Sequence, residues 1–76
     1  MEENKIVLKI AAADRDEMTI RVKKDQNFDK TIRQVCEKLL QVRPESVVFT
    51  FDGVRIEGTA TPNTLMMEDE DQIDVI

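Results

Sequence analysis

This chain has no histidine, tryptophan or tyrosine, and a single cysteine. Without an imidazole to take its proton, Cys36 lacks the usual partner of a cysteine nucleophile, and it reads as a small buried hydrophobe on a helix. One cysteine closes no internal disulfide, which fits a reducing compartment. The only aromatics are Phe28, Phe49 and Phe51. The core must therefore be aliphatic, with Met18, Met66 and Met67 as fillers. No apolar run reaches the roughly 18 residues of a membrane span. The opening MEENKIVLKI is acidic and polar before its first apolar run, unlike a signal peptide. No acid–base pair, metal set or phosphate loop is legible, so neither an enzyme nor a cofactor or metal is expected.

What is present suits one small domain over residues 1–76. A chain of this size buries only about 60% of its unfolded surface. The apolar share of 41% argues against disorder. Net charge is −5, from 16 acids and 11 bases. That argues against non-specific nucleic-acid binding, which needs a basic surface, and suits a basic partner.

Hydrophobic periodicity sets out the elements. Ile6, Leu8 and Ile10 alternate with Lys5, Val7 and Lys9, and Met18, Ile20 and Val22 alternate with Thr19, Arg21 and Lys23. Period two predicts two half-buried strands joined as a hairpin. Phe28, Ile32, Val35, Cys36, Leu39 and Leu40 fall on one helix face, with Asn27 or Asp25 as cap and a stop near Val42, before Pro44. Ser46–Phe51 predicts a third strand, Asp52-Gly53 a turn, and Val54–Ile56 a short fourth strand. Residues 61–65 read as a turn or a single helical turn, and Gln72–Ile76 as a last strand. The order β-β-α-β-β-β places one helix on one face of a mixed sheet, an α+β arrangement.

That order resembles the ubiquitin-like β-grasp. The later half is more specific: Phe49-x-Phe51-Asp52-Gly53-x-Arg55-Ile56, then Thr61-Pro62-x-x-Leu65-x-Met67-Glu68-x-x-Asp71-x-Ile73-Asp74-Val75, closely resembles SUMO and SUMO-like domains. Four departures stand out. The sequence stops at Ile76, where SUMO continues to a Gly-Gly tail. Thr31 and Val35 replace a leucine and a tyrosine of SUMO's peptide groove. Met66 replaces a usual glycine. The connection around Leu40–Pro44 differs in length. This combination resembles the SUMO-like domains of RENi-type genome-maintenance scaffold proteins.

The resemblance implies a nuclear, non-catalytic interaction domain active in DNA repair. The domain is expected to be monomeric in isolation, and its charge and lack of a long apolar run point to no nucleic-acid or membrane partner. Its implied partner is the SUMO-conjugating enzyme, bound through Asp52, Gly53, Arg55, Glu68, Glu70 and Asp71. Several carboxylates on one rim make a negative potential that steers a basic partner. A second implied surface is a peptide groove of Ile20, Arg21, Val22, Lys23, Lys30, Thr31, Val35 and Lys38. There an edge strand accepts an extended acidic SUMO-interacting peptide, weakly, because Thr31 and Val35 offer less apolar area. The same bases equally serve to blunt an edge strand against aggregation. Two other readings stay open: a SUMO-type modifier whose Gly-Gly tail lies outside this sequence, and a self-assembling module that pairs an acidic with a basic face.

Overall fold

The computed structural model describes residues 4–13 and 15–76. Five strands form one mixed sheet: β1 (Lys5–Ala12), β2 (Met18–Lys23), β3 (Phe49–Phe51), β4 (Val54–Arg55) and β5 (Asp71–Val75), ordered β2-β1-β5-β3-β4. β1 and β2 pair antiparallel as expected, and β5 inserts parallel to β1 at the centre. This is the expected ubiquitin-like β-grasp. One helix, α1 (Phe28–Gln34), packs on one face and runs on as a π-helical stretch, Val35–Leu40.

The core lies between helix and sheet. Ile6, Leu8 and Ile10 face inward from β1, Ile73 and Val75 from β5, and Phe28, Val35, Cys36 and Leu40 from the helix. Fully burying an aliphatic side chain of this kind contributes about 1.5–3 kcal/mol. Among the expected methionine fillers, Met67 is buried and Met18 packs at the margin. Met66 points outward and is 84% exposed.

The helix departs from its expected form at both ends. Asn27 occupies the N-cap position, but its side chain makes no capping bond. Asp25 is engaged elsewhere, accepting from Asn4 Nδ2 at 3.2 Å. The first N–H groups are instead satisfied from far along the chain: Phe28 donates to the Ala60 carbonyl and Asp29 to that of Gly58, both at 2.9 Å. A Cβ on Gly58 would lie 3.3 Å from that of Asp29, so glycine keeps this approach open. The helix stops at Leu40 rather than near Val42, because Gln41 turns into the left-handed region with φ 56°. Arg15 donates to the Leu39 and Leu40 carbonyls at 3.3 and 2.9 Å, which closes the C-terminal end.

The π-helical stretch also changes which side chains are buried. Its wider turn delays the return of the inner face, so Leu40 is buried while Leu39 swings out to 37% exposure. Ile32 is only half-buried, and Thr31, unforeseen as a core position, is buried with its hydroxyl accepting from Gln26 Nε2 at 3.0 Å. The third strand is shorter than the expected Ser46–Phe51. Pro44–Ser46 forms a 3-10 turn, held by the Ser46 N–H and hydroxyl on the Arg43 carbonyl. Val48 still exchanges two backbone bonds with Ile76, at 3.0 and 2.9 Å.

Candidate functional site

The acidic run is a built turn rather than a loose loop. Asp71 Oδ2 accepts from the Glu68 N–H at 2.7 Å, and the Asp71 N–H returns to the Glu68 carbonyl at 3.1 Å. Asp69 Oδ1 accepts from the Val7 N–H at 2.7 Å, and the Glu70 N–H donates to the Val7 carbonyl at 2.6 Å. Glu70 takes φ 70° to complete the bend. Asp69 and Asp71 thus spend carboxylate oxygens on the backbone, and Asp71 is half-buried. Glu68 and Glu70 are exposed, and their carboxylates meet no hydrogen bond or ion pair among the described residues.

The β3–β4 turn lies at the same end of the sheet. β3 runs antiparallel to β5, pairing Phe49 with Val75 and Thr50 with Asp74. Continuing that register leads to Asp52 level with Gln72, next to Asp71. Asp52 and Gly53 both have positive φ, 58° and 81°, the pattern of a tight hairpin turn. Gly53 supplies the conformation as expected, and Asp52 shares it, which asparagine and aspartate tolerate better than most residues. Arg55 stands apart from the turn, in a cross-strand row with Thr50 and Asp74 on the outer face. Asp52, Gly53, Glu68, Glu70 and Asp71 therefore lie toward the same end of the sheet, and Arg55 lies one row further along it.

β2 is an edge strand, and between it and the helix lies an open cavity of about 440 Å³. Ile20, Arg21, Val22, Lys23, Thr31 and Val35 line it. Lys30 and Lys38 are exposed on the helix and are not part of the lining. Lys5, Gln26, Gln34 and Leu39 contribute instead. Leu39 was assigned to the core by helical spacing; only the π-turn, invisible in that spacing, brings it here. Asp69 was also missed as an individual residue, although an acid inside a four-acid run ahead of a strand is a common turn-former.

Cys36 lies at the centre of the core with no exposed surface. Burial pushes its thiol above the ordinary cysteine range, and the Glu45 carboxylate adds to the effect. Both causes hold the thiol protonated, as suits a packing residue.

A family model described as "Ubiquitin-2 like Rad60 SUMO-like" matches residues 6–76. Small ubiquitin-related modifier 3 of Homo sapiens is 39% identical over 75 residues, covering 97% of this chain and 71% of that protein. Small ubiquitin-related modifier 2 of Arabidopsis thaliana is 35% identical over 71 residues, covering 93% and 68%. Among solved structures, "Caldiarchaeum Subterraneum Ubiquitin" superposes with a TM-score of 0.87 at 20% identity, covering 95% of this chain and 91% of that one. The structure described as "Molecular Mimicry of SUMO promotes DNA repair" superposes with a TM-score of 0.83 at 18% identity, covering 100% and 95%. At these identities the structural matches bear on the fold.

Proposed function

The chain belongs to the Rad60 SUMO-like family of ubiquitin-like domains, and on that premise we propose that it is a non-catalytic docking domain whose acidic end binds the SUMO-conjugating enzyme. In this reading the parent protein is a nuclear genome-maintenance scaffold of the RENi type. The observation that carries the proposal is the convergence of the Asp52–Gly53 turn and the Glu68–Asp71 turn on one end of the sheet. Glu68 and Glu70 project carboxylates that meet no partner among the described residues, from a backbone fixed by Asp69 and Asp71. A prearranged set of negative charges binds a basic surface at little ordering cost and speeds its approach. Each exposed pair contributes at most about 1 kcal/mol and weakens with salt.

The groove between β2 and the helix is a second, weaker surface in the same proposal. Its floor lacks large side chains at Thr31 and Val35, but Leu39 restores part of the apolar wall. An acidic SUMO-interacting peptide adding to the β2 edge fits the cations Arg21 and Lys23.

The test is an amide-shift titration of the labelled domain with unlabelled SUMO-conjugating enzyme. Shifts concentrated at residues 52–55 and 66–71 are the expected result. Shifts confined to Ile20–Lys23 and Leu39 would move the function to the groove. No shifts at millimolar enzyme would overturn the acidic-end reading.

A further inference from the structure

Folding does not explain Met66. Its side chain is 84% exposed, the highest value among the exposed large apolar residues described. Its backbone sits at φ 55°, a region that long side chains seldom occupy. The conformation is imposed: the Met66 N–H is tied to the Asn63 carbonyl at 3.1 Å, and the next N–H, of buried Met67, to the Pro62 carbonyl at 2.9 Å. The chain thus anchors Met67 inward and presents Met66 outward, just ahead of the acidic turn. Val54 repeats the arrangement on the other turn, following Asp52 and Gly53 with 64% exposure. Among the described residues, two of the five exposed large apolar side chains therefore adjoin the two acidic turns.

We propose that Met66 is the apolar anchor of the acidic end and sets which basic partners it accepts. Charges at a rim steer and orient, but affinity concentrates in a few desolvated apolar contacts within that rim. An unbranched thioether side chain adapts to the seat it finds. The matching partner is a basic protein surface with an apolar recess beside its cations. A purely polar basic surface would be discriminated against, because Met66 and Val54 would meet water or charge. This inference rests on the acidic-end reading above.

The experiment measures calorimetric affinity for the SUMO-conjugating enzyme, and melting temperature, for the wild type, Met66→Ala and Met66→Gly. Alanine keeps the backbone conformation and removes the contact; glycine also removes the backbone penalty. Both variants are expected to bind roughly tenfold more weakly. Met66→Gly should at the same time melt above the wild type, separating the contact from any loss of fold. Affinities within twofold of a wild type that does bind would overturn the role of Met66 and leave the acidic end standing. A wild type that fails to bind would overturn both.

Discussion

Asp69 and Val7, 62 residues apart in the chain, are joined by a 2.7 Å hydrogen bond from the Val7 N–H to Asp69 Oδ1. The Glu70 N–H completes the clasp on the Val7 carbonyl. The acidic turn is thereby stitched to β1 just where its pairing with β5 begins, at Leu8 opposite Asp71. Neighbouring acids of one run therefore have different tasks. Asp69→Ala is expected to cost about 1 kcal/mol of stability in urea unfolding, the loss of a charge-assisted bond at an exposed site. Glu70→Gln should stay within about 0.5 kcal/mol. Equal losses would contradict this division of labour.

Charge removal at the hairpin turn is best done with Asp52→Asn. Asparagine accepts φ 58° and keeps the shape of the turn. An arginine there would add backbone strain to the change of charge. Asp52→Asn combined with Glu68→Gln and Glu70→Gln should leave the melting temperature near that of the wild type. Binding to the conjugating enzyme should weaken severalfold, and its salt dependence should flatten. An unchanged salt dependence would show that these carboxylates do not face the partner.

Leu39 and Leu40 separate a π-turn from a regular helix. With Leu40 buried and Leu39 turned toward the groove, Leu40→Ala should cost about 2–5 kcal/mol in urea unfolding. Leu39→Ala should cost under about 1 kcal/mol. The reverse order would place Leu39 in the core.

The Cys36 thiol provides a pH test. Its folded pKa is raised, so the native state holds its proton where the unfolded chain has released it. The contribution is complete below the ordinary thiol pKa and is lost as pH rises through the folded one. Stability should therefore fall on the alkaline side, and the fall should shrink in Cys36→Ala. Labelling by a disulfide reagent at pH 8 should be slow in the native protein and accelerate in urea. Rapid native labelling would mean that the thiol is not shut in the core.

The β-grasp was legible because period-two alternation in Lys5–Ala12 and Met18–Lys23 and the Asp52-Gly53 turn are local signals of side-chain burial. The start of the helix at Phe28 was legible too, but the groups that satisfy its ends were not, because they are distant: no local rule points from Phe28 to Ala60, or from Arg15 to Leu40. The groove was legible on its strand side and, on the helix, at Thr31 and Val35, whereas Leu39 was not, since ideal spacing puts it in the core. The departure at Met66 was visible as a replaced glycine, and the positive φ there gives it a physical meaning. A backbone region that suits glycine here carries a methionine.

The helix cap has a consequence for the order in which the molecule forms. The N–H groups of Phe28 and Asp29 depend on carbonyls at Ala60 and Gly58, in the last third of the chain. A helix this short is marginal by itself in water, since its first turn fixes several residues for one bond. It is therefore not a nucleus that waits for the rest of the protein. During synthesis the helix N-terminus lacks its carbonyl partners until the segment through Ala60 has emerged, and the sheet lacks its centre until β5 follows. Non-local closure of this kind slows folding. A nascent chain halted before Gly58 carries β1–β4 and the helix sequence, but neither the helix's partners nor the central strand.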